Sequence, residues 1–242
     1  NLKPDIFLCN DWQSALVPAL LKDQYKDDRY FSKTAAVLTI HNLAYQGLYP
    51  AELYGLTGLS KGLFHLEGVE FWGKVNLLKA GIVYADAVTT VSPTYSKEIQ
   101  TPPFGCGLDG VLKSRSKDLF GILNGVDYEE WNPATDKLIP ANYSIDDLKG
   151  KSVCRRRLLT EFNLKLGAKA PLVGMISRLD EQKGFDALLE AMPELIGLDI
   201  ALVILAFGEK KYRESLEGLQ SLYPERLSVK IAMDKRLGHL IE

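Results

Sequence analysis

Short apolar runs alternate along this chain with stretches whose apolar residues recur at helical spacing. Ile6 to Cys9 reads as a buried strand, followed by a helix from Trp12 to Tyr25 with Asp11 as its N-cap. Thr34 to Ile40 is apolar and β-branched, as a second strand would be. Ser60 to Tyr84 carries a broad apolar face and predicts one or two helices. Ala87 to Val91 predicts a strand ending at Ser92-Pro93, Thr94 to Gln100 a short helix, and Leu119 to Leu123 another strand. The pattern then changes. Residues 124–169 are polar, with Pro133 and Pro140 and one charged helix over Ser152 to Phe162. Beyond Pro171 the alternation resumes. Strands are predicted at Leu172 to Ile176, Ile200 to Leu205 and Leu227 to Ile231. Helices are predicted at Gly184 to Ile196, Tyr212 to Leu222 and from Lys235 onward.

Strands alternating with helices of this length imply an α/β protein with parallel sheets. The break near Asn124-Gly125 divides it into two Rossmann-like domains, 1–122 and 123–242. Parallel sheets bind ligands beyond the carboxyl ends of their strands. The loops expected there are Asn10-Asp11-Trp12, His41 to Gly47, Ser92-Pro93-Thr94, Asn124 to Asp127, Ser177 to Gly184 and Ala206-Phe207-Gly208-Glu209. They hold the unusual polar, glycine and aromatic residues of the sequence, as the lining of a cleft between two facing domains would.

Composition narrows the function classes. Hydrophobic residues make up 46% and charged residues 25%, a normal globular balance, and the formal net charge is -2. That charge gives no basic footprint for nucleic acid. No apolar stretch is long enough to span a bilayer, so neither a nucleic acid nor a membrane is an expected partner. Cys9, Cys106 and Cys154 are odd in number and widely spaced, which argues against a disulfide framework and a zinc site and for a reducing compartment. The chain does not begin with Met and both its ends fall in or beside elements, so a piece of a longer protein is expected.

Four constellations carry candidate chemistry. In Ser177-Arg178-Leu179-Asp180-Glu181-Gln182-Lys183-Gly184, a strand end leads into a helix. Arg178 offers a planar fork of donors, Lys183 a second cation, and the helix N-terminus attracts anions; together they suit a diphosphate. A solvated ion pair of Arg178 with Asp180 or Glu181 explains the same residues. In His41-Asn42-Leu43-Ala44-Tyr45-Gln46-Gly47, the polar groups of His41 and Asn42 suit sugar hydroxyls and Tyr45 a sugar face, although a histidine closing the strand end is the simpler alternative. Asp11 and Trp12 fit a sugar site or a helix cap with a core tryptophan equally well. Gly105-Cys106-Gly107-Leu108-Asp109-Gly110 lacks the dinucleotide-binding spacing and reads as a substrate-side loop or a turn. His65 and His239 fall in helical patterns, with structural or surface roles.

Asn10-Asp11-Trp12, His41 to Gly47, Lys79-Ala80-Gly81-Ile82, Val91-Ser92-Pro93-Thr94-Tyr95, Gly121 to Asp127, Trp131-Asn132-Pro133 and Ser177-Arg178-Leu179 with Gln182-Lys183-Gly184 resemble the glycogen and starch synthases of bacterial type, glycosyltransferase family 5 with the GT-B fold. The matches run in family order from the first residues to about Phe207. The resemblance implies a retaining glucosyltransferase that moves glucose from ADP-glucose to the non-reducing end of an α-1,4-glucan, with no cofactor and no metal. It implies that Arg178 and Lys183 hold the distal phosphates and stabilise departing ADP, and that His41 touches the glucosyl hydroxyls. Asp11, Trp12 and Asn124 would line the cleft, with Asn42, Tyr45, Gln46 and Gly208 among the substrate-binding residues. The implied compartment is the bacterial cytoplasm, with a plastid as the alternative.

This sequence departs from the family in several places. The Lys-x-Gly-Gly loop and the Glu-containing Phe-Glu-Pro-Cys-Gly-Leu segment are absent. Ala206-Phe207-Gly208-Glu209 stands for Gly-Thr-Gly-Asp, and Asn10 for a common His. This stretch alone is therefore expected to be inactive. The rival readings are a GT-B transferase using a UDP-sugar and a non-catalytic glucan- or nucleotide-binding protein.

Overall fold

A computed structural model describes residues 3–242. The chain forms two compact units, one ending at Gly125 and the other beginning at Val126.

The first unit is built on a parallel sheet of order β1-β2-β6-β7, comprising β1 (Ile6–Asn10), β2 (Ala35–Ile40), β6 (Ala87–Thr90) and β7 (Leu119–Gly121). β1 is not buried on both faces as its apolar run suggests: Ile6 and Leu8 are exposed while Cys9 is buried. The helix expected over Trp12 to Tyr25 is two pieces, α1 (Asp11–Ser14) and α2 (Leu16–Asp23). Asp11 is not its N-cap. That position is Asn10, and Asp11 is the first helical residue, at φ 52°. Its carboxylate is used elsewhere, as described below.

The largest correction falls on Ser60 to Tyr84. Only α3 (Leu77–Tyr84) and a 3-10 turn at Lys61–Leu63 are helical. Between them lies the hairpin of β4 (Glu70–Phe71) and β5 (Lys74–Asn76), which pairs with β3 (Leu48–Pro50) in a small antiparallel sheet of order β3-β5-β4. The apolar residues of this stretch, Leu63, Val69 and Val75, pack in the same cluster as α2 and α3 without being helical themselves. Ser92 caps α4 (Pro93–Glu98), its hydroxyl accepting from the N–H groups of Thr94 and Tyr95, with Pro93 at the first helical position. Residues 109–110, expected in a loop, open α5 (Asp109–Ser114).

The second unit carries α6 (Lys149–Glu161) and a parallel sheet of order β10-β9-β8: β8 (Leu172–Leu179), β9 (Ala201–Gly208) and β10 (Leu227–Ile231). Three more helices complete it: α7 (Phe185–Gly197), α8 (Lys210–Leu222) and α9 (Lys235–Ile241). Side chains alternate between strand faces, and in β9 both faces are filled. Leu202, Ile204 and Ala206 pack in the cluster that includes Phe185, Met192, Tyr212 and Leu216. Ala201, Val203 and Leu205 pack with Leu158, Phe162, Leu237 and Leu240. A central strand covered by helices on both sides explains its unbroken apolar run. β8 and β9 outlast their predictions, so Ser177, Arg178 and Phe207 are strand residues. β7 falls short of its own, leaving Ile122 and Leu123 exposed. His239 lies in α9 as expected and is buried, whereas His65 lies in a turn. Among the described residues no helix is long and apolar enough to cross a membrane.

Candidate functional site

In the first unit the loop after β2 is held from three sides. Asp11 Oδ1 accepts from the backbone N–H of His41 at 2.8 Å and of Asn42 at 3.4 Å. The Tyr95 hydroxyl accepts from Leu43 N–H at 3.1 Å. Burial pushes the Tyr95 phenol up, so that it stays neutral in this role. Gln46 is buried; its amide accepts from Asn76 Nδ2 at 2.7 Å and donates to the Cys106 carbonyl at 3.0 Å. Both ends of the Gln46 side chain are thus engaged inside the protein. Gln46, expected among the substrate-binding residues, here holds the loop to Asn76 and to Cys106. Gly47 has φ 62°, and a Cβ there would meet Trp12 Cε3 at 2.5 Å. The indole therefore lies directly on the glycine, and Trp12 also packs against the main core of the unit.

What this scaffold presents is the ring of His41 and the ring of Tyr45, both exposed. His41 Nε2 is 2.9 Å from Asn10 Oδ1, while Nδ1 has no protein partner among the described residues. Asn42 is half-buried and its Oδ1 accepts from Ala44 N–H, an Asx turn that shapes the loop. Asn124 is exposed beyond β7.

In the second unit Arg178 closes β8. Its guanidinium lies 3.3 Å from Asp180 Oδ2 while the side chain stays 55% exposed, so the surface ion pair and an available cation coexist. Asp180 Oδ1 is buried with no hydrogen-bond partner. Lys183 ends a 3-10 turn and has no ion-pair partner among the described residues. Gly184, at φ 75°, turns the chain into α7, whose N-cap makes no side-chain hydrogen bond among the described residues, and a helix start of this kind favours an anion. Gly208 sits opposite Leu179 in the sheet at φ 142°. A Cβ there would meet the Leu179 carbonyl at 2.5 Å. Its contribution is thus close backbone approach at the β8 end rather than a side-chain contact.

Beside Arg178 opens a cavity of about 440 Å³ at the carboxyl ends of β8, β9 and β10. Ser177, Phe207, Met233, Lys235 and Trp131 are among its walls. Trp131 stacks on His239, with ring centroids 4.1 Å apart and planes 7° apart. His239 Nδ1 is 2.8 Å from Asp136 Oδ2, and Lys235 pairs with Glu130 at 2.8 Å. Trp131, Met233 and Lys235 are not among the residues that the chemistry of the sequence marks for a site, whereas Phe207 lies in a loop expected at a strand's carboxyl end. The rule that ligands bind at strand carboxyl ends, applied to β10 as to the other strands, points to Ala232 to Asp234. Trp131 belongs to the Trp131-Asn132-Pro133 stretch that resembles the family, but the stretch by itself does not place it at a cavity.

Residues 1–114 match the family profile of the starch synthase catalytic domain. The chain is 47% identical to a glycogen synthase of Thermosipho africanus over 239 residues, covering 99% of this chain and 49% of that protein. It is 46% identical over 241 residues to a glycogen synthase of Thermotoga maritima, covering 100% and 50%. A solved structure, the catalytic domain of starch synthase IV from Arabidopsis thaliana bound to ADP and acarbose, superposes with a TM-score of 0.91 at 34% identity, covering 99% of this chain and 50% of that one. The chain thus spans about half the length of these relatives.

Proposed function

The chain belongs to the glycogen and starch synthase family, with the two Rossmann-like units of the GT-B fold, and from that premise we propose that the protein carrying it is a retaining glucosyltransferase using ADP-glucose and an α-1,4-glucan. The observation that carries the proposal is the pairing of Arg178 and Lys183 with the α7 N-terminus beside the β8–β10 cavity. When the bond between glucosyl C1 and the β-phosphate oxygen breaks, negative charge gathers on the diphosphate. Two cations and a helix terminus already in place lower that barrier without reorganising at the moment of reaction. The acceptor's 4-hydroxyl forms the new bond to C1 and its proton leaves with ADP.

The cavity with Trp131, Phe207 and Met233 suits a flat base. The rings of His41 and Tyr45, with Asn42, Asp11, Trp12 and Asn124, suit the sugars. Gln46 and Gly208 act through the backbone they hold. These steps need no further cofactor, and the bacterial cytoplasm is the compartment that fits the relatives.

The test is incubation of the full-length protein with maltotriose and either ADP-glucose or UDP-glucose. The expected product is maltotetraose, made faster from ADP-glucose. A clear preference for UDP-glucose, or hydrolysis without chain extension, would overturn the assignment.

A further inference from the structure

The β4–β5 hairpin ends in a two-residue turn, Trp72-Gly73, with φ 51° and 74°. Positive φ at both central residues is the pattern of a type I′ turn, in which asparagine, aspartate and glycine are favoured and a bulky residue is strained. The residue placed there is a tryptophan whose surface is 83% exposed. The position therefore carries backbone strain and a large apolar surface in water together, and neither serves the core. A strained residue of this kind is maintained where the strain has a use.

The surroundings give the indole a fixed aspect. Phe71 meets it edge-on, with centroids 6.1 Å apart and planes at 78°. Gly107, at φ 79°, lets the 105–107 loop pass beneath; a Cβ there would lie 3.0 Å from Phe71 Cζ and 3.8 Å from Trp72 Nε1. Glu70 Oε1 accepts from Gly73 N–H at 2.7 Å and closes the turn. Buried Lys79 donates its ammonium to the carbonyls of Leu66 and Glu70, which anchors the hairpin from below. A cavity of about 360 Å³ adjoins the indole, with Leu66, Glu70, Phe71 and Gly107 in its walls. The indole N–H has no protein acceptor among the described residues. A rigid, flat aromatic face with a free donor and a carboxylate at its rim suits a pyranose ring, which offers an apolar face and equatorial hydroxyls.

We propose that the Trp72 hairpin tip is an accessory glucan-binding platform, distinct from the loop at His41 to Gly47, that holds an α-1,4-glucan chain by stacking on the indole. The occupant follows from the proposed transferase reading, on which this inference rests. The platform couples to that loop through Gln46, whose amide holds the Cys106 carbonyl.

The test uses the full-length protein in native gels with and without glycogen. The wild type should be retarded by glycogen, and Trp72→Asn should weaken that interaction about tenfold or more. Trp72→Asn also relieves the turn, so its Tm should hold or rise by about 2–4 °C; lost retardation thus separates from misfolding. Trp72→Phe should be intermediate. Equal retardation of wild type and Trp72→Asn would overturn the platform, as would an unchanged glycogen interaction with loss of self-association. Turnover of ADP-glucose on maltotriose without retardation of the wild type by glycogen overturns the platform alone. Absence of both turnover and retardation overturns the transferase reading and the platform with it.

Discussion

At Gly47 one hydrogen atom separates a packed loop from a collision with Trp12. Replacing it with alanine places a methyl group 2.5 Å from the indole and forces a side chain onto φ 62°. Gly47→Ala should therefore destabilise the first unit by about 1–3 kcal/mol, measured by denaturant unfolding. Tyr95→Phe removes the acceptor for Leu43 N–H. An orphaned, part-buried N–H costs about 1–3 kcal/mol. Its signature should be faster hydrogen exchange over residues 41–46. Both residues belong to stretches that mark the family in the sequence, yet neither offers a free polar group to a substrate. Motif residues such as Tyr95 and Gln46 were legible as a signature while their work was not. They hydrogen-bond to the backbone of distant loops, and spacing along the chain carries no trace of those partners. Arg178 and Lys183 were legible for the opposite reason: their charges, beside a helix start, act through solvent-accessible geometry that strand and helix periodicity already places.

At the scale of elements, periodicity located the parallel strands and failed between Ser60 and Tyr84. Val69 and Val75 are apolar because they pack in the cluster of α2 and α3 from a turn and a hairpin, which the composition of the stretch does not distinguish from a helix. The polar stretch of residues 124–169 hid a different feature. Asp136, Glu130 and Trp131 fasten this segment to α9 through His239 and Lys235. Burial pushes the Asp136 carboxyl up, but Leu138 N–H and His239 outweigh it and hold the group below its ordinary range. A depressed carboxylate contributes stability above its unfolded pKa, near 3.9, that is lost as pH falls through the folded value. The second unit should thus lose stability as pH falls through and below the ordinary carboxylate range. Asp136→Asn should start less stable and show a shallower slope in thermal melts monitored by circular dichroism. An identical slope would remove Asp136 from the account.

For the whole molecule, the two compact units divide at Gly125. Apolar alternation stops near there and restarts after Pro171 as a second sheet with its own core. The cavity at the ends of β8–β10, proposed to take the donor, was foreshadowed by the Ser177 to Gly184 run, but Trp131 and Met233 meet Arg178 there only through the fold. The claim on which everything else depends is that Arg178 and Lys183 receive the charge of a departing diphosphate. The most direct measurement follows radiolabelled glucose from ADP-glucose into glycogen with the full-length protein and Arg178→Ala. Arg178 is half-exposed, so the variant should keep its circular dichroism spectrum and Tm. The account predicts incorporation by the wild type and a loss in kcat of about a hundredfold or more in the variant. Unchanged turnover in Arg178→Ala would contradict it.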